Sequence, residues 1–453
     1  MYIFCLKRKG GFTDLKAKLV PLYLKSSPDE KFYQQTSNLK TLFKEEIDLL
    51  NPIPLGEKLP EADAVIFPQI LGEAYWKIDD FYNIKLPILV ITSEFGTVSM
   101  WDWEVVSYLK MKGLEVFAPY NIEMSKKILK CLALKREMKT TKFLIFQENP
   151  GKGMQASIFK RFYWWEKECT EQINRKFGIG IIRKSLKQLA EEVKKIPEEE
   201  VAKIQNNLII PIDNVTGRAL GNALKLYLAV KKEIDWDATI KGIGTNCLNE
   251  SYYFNTTPCL AWDLLFQEKG IMWACEADTL SLLTQHILYN ILETPIMMSN
   301  VYPFLMGMAA LKHEKIDSFP EIQNPDDHLL VAHCGYFGLI PRSFSNQWKL
   351  KPRVLEIVHE DATAIDGRFP EGKVTLAKID SSLSSLLVVE GHLEKYVQFP
   401  GSDCRNGALI RVPDGHFLMN KLYSHHNCIL IGHHKIDLEV IASVIGLDIE
   451  VLS

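Results

Sequence analysis

Carboxylates, imidazoles and thiols fall close together at four places in this chain. Gly242-Ile243-Gly244-Thr245-Asn246-Cys247-Leu248-Asn249-Glu250 is a strand-like run whose loop ends in a carboxylate. Gly270-Ile271-Met272-Trp273-Ala274-Cys275-Glu276-Ala277-Asp278-Thr279 is a second, with Glu276 and Asp278 after its apolar part. Leu329-Leu330-Val331-Ala332-His333-Cys334-Gly335 places His333 at a strand end. Tyr423-Ser424-His425-His426-Asn427-Cys428-Ile429-Leu430 sets two histidines directly before an apolar strand, the rigid support a metal ligand needs. All eleven histidines lie at or after position 286, so imidazole chemistry is confined to the later part of the chain.

Carboxylate oxygens from Glu250 and Asp278 can face one crevice. With one imidazole they suit a hard or borderline divalent ion such as Mn²⁺ or Mg²⁺. Each group also has a plainer reading. Asp278 stands where the N-cap of a helix at Leu280–Leu292 belongs. Glu250 and Glu276 suit solvent or pairing with Lys or Arg. Glu276 and Asp278 point the same way in a continuing strand but not in a turn. His333 fits a buried histidine bonded to backbone equally well. Trp101 and Trp103, in the polar loop that follows Ile91, can stack on a sugar face or fold back on their own domain. Gly151-Lys152-Gly153 lacks the rest of either phosphate-loop fingerprint, so no nucleotide site is expected.

An alternating α/β framework must position these groups. Strand-length apolar runs at Tyr2–Leu6, Ala64–Phe67, Ile88–Ile91 and Leu114–Phe117 alternate with helix-like Thr36–Leu50 and Trp103–Met111. That order predicts a parallel sheet covered by helices, with ligand loops at the strand ends. It restarts with a strand at Phe143–Phe146, a helix over about 156–175, a strand at Gly178–Ile182 and helices at Leu186–Lys195, after Pro197 and at Ala219–Lys232. From about Lys351 short apolar runs at Val354–Val358, Val374–Ile379, Leu386–Val389, Ala408–Val412 and Cys428–Ile431 predict a β-rich barrel. A helix at Asp437–Ile445 ended by Gly446 and a strand at Asp448–Leu452 close the chain. The expected domains are 1–140, 141–345 with the carboxylates, and 346–453 with the histidine pair.

Composition removes several classes. Of 453 residues, 53 are Lys or Arg and 56 Asp or Glu, a net charge of −3 that argues against a broad nucleic-acid footprint. Apolar content of 47% is too high for a disordered chain. The segment from Met1 turns charged too early for a secretory leader, and Ile296–Leu311 is broken by Ser299, Asn300 and Pro303, so no membrane span is expected. Nine cysteines without a C-x-x-C pair fit reduced thiols of a cytoplasmic protein.

Taken in order, G-T-N-C-L-N-E ending at Glu250, G-I-M-W-A-C-E-A-D-T at 270–279, L-L-V-A-H-C-G at 329–335 and S-H-H-N-C-I-L-I-G at 424–432 resemble the L-fucose isomerase and L-arabinose isomerase superfamily. The helix and strand of Lys435–Leu452 also look like the end of these enzymes. The resemblance implies two Rossmann-like three-layer α/β/α domains followed by a C-terminal β-barrel domain. It implies a Mn²⁺-dependent ketol isomerase, with Mg²⁺ or Co²⁺ as alternative ions, acting on a free sugar such as L-fucose or L-arabinose. It places the metal on Glu250, Asp278 and His426, with Glu276 competing for the second position and His333 and His425 as further site residues. Glu250 and Asp278 become both ligands and acid/base groups. The double histidine resembles the arabinose isomerases, and Cys275-Glu276-Ala277-Asp278 the fucose isomerases. The family also implies a homo-oligomer, a hexamer by analogy, with Trp101 and Trp103 reaching a neighbour's site. The chemistry suits the residues: a cation on O1 and O2 stabilises an enediolate, and flanking carboxylates move the proton between C1 and C2. A hydride shift is the competing route. A non-catalytic sugar-binding protein on the same scaffold is the competing function, but it has no need of the carboxylates and paired histidines.

Overall fold

The computed structural model describes residues 15–452, apart from 71, 149–165, 248–249, 313–320, 334–341, 346 and 399–405. The strand expected at Tyr2–Leu6, the Gly151-Lys152-Gly153 loop and the first part of the helix expected over 156–175 fall outside the described residues.

The first sheet contains Ala17–Tyr23 (β1), Ile47–Leu49 (β2), Ile53–Pro54 (β3), Ala64–Phe67 (β4), Ile88–Val90 (β5) and Val116–Phe117 (β6). Its order is β2-β1-β4-β5-β6, with β3 also pairing β1, and every pairing is parallel. Every residue of β4 and β5 is buried, as expected when helices cover both faces. The helix expected at Thr36–Leu50 is instead Glu30–Leu42, followed by β2. Asp29 starts it earlier by accepting the Phe32 N–H at 2.9 Å, and Ile47 onward pairs with β1.

The second sheet contains Lys142–Phe146 (β7), Gly180–Lys184 (β8), Ile240–Thr245 (β9) and Met272–Cys275 (β10), parallel in the order β10-β9-β7-β8. Gly242 and Gly244 let it pack closely. A Cβ on Gly244 would lie 2.7 Å from Ile145 Cδ1 and 3.1 Å from the Ala277 Cα. Ile145 can shift, but the Ala277 backbone belongs to the turn that carries Glu276 and Asp278. Gly244→Ala is therefore expected to cost about 1–3 kcal/mol through overpacking, read as a lower urea midpoint. An unchanged midpoint would mean that the turn gives way freely.

The remaining strands are Ile296–Pro303 (β11), His328–Ala332 (β12), Gln347–Pro352 (β13), Thr363–Arg368 (β14), Gly372–Ile379 (β15), Ser385–Gln398 (β16), Asn406–Arg411 (β17), His426–Ile431 (β18) and Asp448–Leu452 (β19). In the order β15-β18-β11-β12-β17-β16 they are antiparallel, and β15 pairs β16 to close a six-stranded barrel, with β19 added parallel to β16. Closure leaves no open edge within those six. Two barrel strands, β11 and β12, precede residue 346. β13 and β14 form a separate hairpin. The strand expected at Val354–Val358 is a loop, because the Arg353 guanidinium takes the Glu356 carbonyl at 3.2 Å and the Val358 carbonyl in place of a ladder partner.

The Thr279–Leu292 helix joins the halves. Nearly every residue in it is buried, between the second sheet and barrel strands β11, β15 and β18. Its polar residues are bonded: Gln285 donates to the Trp273 carbonyl at 2.9 Å, and Thr284 accepts the Ile379 N–H at 3.2 Å. One apolar core runs from Leu39 and Ile66 of the first layer through Phe143 and Leu282 to Leu376 and Ile429 of the barrel.

Candidate functional site

The site begins where β7, β9 and β10 end together. The Asn246 N–H donates to the Phe146 carbonyl at 3.1 Å, and the Glu250 N–H closes a turn on the Asn246 carbonyl at 3.1 Å. Glu250 is 1% exposed. Its two carboxylate oxygens accept the Glu148 N–H at 3.0 and 3.1 Å, so backbone from the end of β7 fixes its orientation. The Cys247 and Cys275 thiols are 3.5 Å apart, which ties the Glu250 loop to the adjacent Glu276 turn.

After Cys275 the chain neither continues as a strand nor passes directly into the helix. Glu276 and Ala277 both adopt left-handed backbone, with φ of 53° and 55°. Two such non-glycine residues in succession cost roughly 1–2 kcal/mol each. This turn separates the directions of Glu276 and Asp278 and places Asp278 at the helix N-terminus. Its Oδ1 accepts the Ser281 N–H at 2.8 Å, a true N-cap. Its Oδ2 accepts the Ser281 hydroxyl at 2.8 Å.

His426, the first residue of β18, reaches the same oxygen from the barrel. Its Nδ1 lies 3.0 Å from Asp278 Oδ2, across 148 residues of sequence. Its Nε2 lies 4.0 Å from Glu276 Oε1. The Lys378 ammonium, from β15, is also 3.0 Å from Asp278 Oδ2 and donates to Ser281 Oγ. The Lys378, Asp278 and His426 side chains are 1%, 0% and 0% exposed. Burial pushes the Asp278 carboxyl up, but the Lys378 charge and the His426 contact outweigh it and hold the group below the usual carboxylate range, ionised.

The structure thus brings Glu276, Asp278 and His426 into one buried cluster, with Glu250 on the neighbouring strand end. His425 stacks on Tyr302, with centroids 5.9 Å apart and planes 7° from parallel, and its ring lies 4.5 Å from that of His426. Burial and the adjacent His426 push His425 down to about 3, so it is neutral. His333 is buried and near enough for its charge to bear on His425. Trp101 and Trp103 sit in the first turn of the Met100–Met111 helix, 73% and 60% exposed, and are not side chains of this cluster.

Sequence reasoning missed Lys378 and Ser281. A lysine inside the largely apolar Val374–Ile379 run was a signal for the first. A serine three residues after a capping aspartate was a weaker signal for the second.

Among the described residues, no three His, Cys, Asp or Glu side chains form a group able to hold a metal ion. The donors that do face each other, an imidazole nitrogen and a carboxylate oxygen 4.0 Å apart, have the chemistry a borderline divalent ion prefers. Mg²⁺, a harder ion, is usually held by one or two protein carboxylates and keeps water or substrate oxygens in its other positions. No helix among the described residues is long and apolar enough to cross a membrane. No protein-family model matches the chain, and a search of curated proteins finds no match.

Proposed function

We propose that this chain is a divalent-metal-dependent aldose–ketose isomerase acting on a free sugar of the L-fucose or L-arabinose kind, with Mn²⁺ as the preferred ion. The observation that carries the reading is the approach of His426 Nδ1 to Asp278 Oδ2 at 3.0 Å, beside Glu276. Residues singled out by type and spacing in distant segments meet in one buried cluster at the C-terminal ends of a parallel sheet, where ligands bind in open α/β folds. On this reading the two parallel sheets are Rossmann-like domains. The protein is a cytoplasmic homo-oligomer, with Trp101 and Trp103 turned toward a neighbour's site.

Glu276 and His426 would hold the ion, with Glu250 and Asp278 close by. When bound, the ion supplies Lewis-acid stabilisation of negative charge on the sugar's O1 and O2, worth several kcal/mol as an order of magnitude. Asp278 orients the imidazole. Glu250, anchored by the Glu148 N–H, would take the C2 proton and return it to C1, while the O2 hydroxyl proton passes to O1. Burial of the cluster excludes bulk water, so the charges act at short range in a medium that screens them weakly.

The test is a panel of aldopentoses and 6-deoxyaldohexoses incubated with purified protein, with and without Mn²⁺, and assayed for ketose. The expected result is ketose from at least one aldose, lost on chelation and restored by the ion. Absence of ketose from every aldose with Mn²⁺, Mg²⁺ or Co²⁺ would sink the proposal.

A further inference from the structure

We propose that Gln147, Asn246 and Asn300 form an uncharged wall beside the carboxylate–imidazole cluster that recognises the hydroxyl groups of a neutral polyol. The isomerase reading supplies the identity of that polyol as a free sugar; the geometry of the amides stands without it.

Two of the three amides lie where β7 and β9 run out. Ile145 stands in register with Gly244 and Phe146 with Thr245. The ladder continues one step further: the Asn246 N–H donates to the Phe146 carbonyl and the Gln147 N–H to the Lys184 carbonyl, each at 3.1 Å. Side chains alternate along a strand, so Gln147 and Asn246 share the face of Ile145 and Gly244. That face carries the Ala277 turn and the Thr279–Leu292 helix. A Cβ on Gly242 would lie 3.0 Å from Leu282 Cδ1, and one on Gly244 3.1 Å from the Ala277 Cα. The two amides therefore stand one step beyond Gly244, on the side where the Glu276 turn crosses the sheet. Gln147 also directly precedes Glu148, whose N–H holds Glu250. The third amide comes from the barrel. Asn300 of β11 is the register partner of His426 in an antiparallel pair, so the two side chains share a face.

These amides carry polar atoms that folding has left over. Gln147 is 5% exposed and Asn246 0%. Gln147 Oε1, both Asn246 Oδ1 and Nδ2, and Asn300 Oδ1 meet no hydrogen-bond partner among the described residues. Buried polar groups are nearly always bonded, because an unmade bond in the interior costs more than a made one gains. Three amides with this defect, gathered from two sheets around one cluster, point to a ligand that completes them. Its chemistry follows from theirs. An amide offers a donor and an acceptor on one planar group, and a hydroxyl both donates and accepts. It has no charge with which to match a phosphate, a carboxylate or an ammonium. A site built this way rejects an analogue that lacks the hydroxyl, since its own groups are then left unpaired.

The test replaces one amide at a time by an apolar side chain of similar size, Asn246→Leu or Gln147→Met, and reads urea midpoints with and without ligand. The ligands are L-fucose, L-arabinose and the alditols made from them, which keep the hydroxyls but have no carbonyl to isomerise. Without ligand, each variant is expected to unfold at the same or a higher midpoint than the unmutated protein, because it removes buried atoms that have no partner. With ligand, the unmutated midpoint is expected to rise, and the variants to need about 10–100-fold more ligand for the same rise. The unmutated protein is also expected to bind at least one monodeoxy analogue about tenfold more weakly than the parent sugar, a comparison that needs no variant. Lower midpoints in both variants without ligand would make the amides scaffold groups and overturn the proposal. So would unchanged ligand affinity in both variants, or no stabilisation of the unmutated protein by any sugar or alditol. The two proposals fail separately: an alditol that stabilises through Asn246, with no ketose from any aldose, sinks the isomerase reading alone, whereas ketose formation with full affinity in both variants sinks this one alone.

Discussion

Lys378→Met is expected to lower stability by about 3–5 kcal/mol, the cost of stranding a buried charge by removing its partner. Lys378 and Asp278 have side-chain exposures of 1% and 0%, so the methionine leaves a carboxylate with no solvent to replace the ammonium. The contacts that remain, with Ser281 and His426, do not replace the ammonium's full charge. Losing the charge at both ends is a different matter. Lys378→Met/Asp278→Leu restores a matched interior, and such replacements of buried pairs range from neutral to stabilising by about 1–4 kcal/mol. Urea unfolding of the two variants therefore separates the pair as a scaffold device from the pair as a chemical one. The double variant should recover the midpoint but not the orientation of His426. An unchanged midpoint in Lys378→Met would mean that water reaches Asp278.

The parts of this cluster differ in how visible they are in the sequence, and the reason is range. Phe143–Phe146 and Ala64–Phe67 are readable because a strand covered on both faces needs an unbroken apolar run. Gly446 at the end of the Lys435–Ile445 helix is readable because a left-handed residue there, with φ of 84°, favours glycine. Asp278 reads as either a cap or a site residue, and in the structure it caps the helix through Oδ1 while holding His426 through Oδ2. Those readings compete only while a carboxylate is treated as one acceptor. The left-handed turn at Glu276 and Ala277 leaves no sequence trace, since neither residue type favours it. It persists because the close approach of Gly244 and the Asp278 cap hold it from both sides. Lys378 is hidden for another reason: its partner lies 100 residues earlier, and only the closure of the barrel brings them together. The apolar run from Ile296, read only for its inability to span a membrane, is the barrel strand that pairs with both the His333 and the His426 strands.

Glu250→Gln is expected to reduce the turnover of the proposed isomerase by about 10²–10⁴-fold, the usual contribution of a positioned acid/base group. Mn²⁺ affinity should change far less than in Glu276→Gln, because Glu250 stands on its own strand end with both oxygens turned to the Glu148 N–H. That anchor gives the substitution a second signature. A glutamine keeps only one acceptor oxygen, so the N–H shared between two oxygens is left with one, at a stability cost of about 1 kcal/mol for a neutral bond in place of a charge-assisted one. Turnover and stability therefore fall by unequal amounts, and a loss of rate much larger than the loss of stability marks a proton-transfer role. Glu250→Asp sharpens the comparison. It keeps the charge but withdraws the carboxylate by one methylene, so rate should fall through lost reach while the ion still binds. Were turnover of Glu250→Gln to stay within about tenfold of the unmutated protein, the C2 proton would have to leave through another group. The remaining carboxylate that faces the ion is Glu276, and a single residue would then both hold the cation and carry the proton.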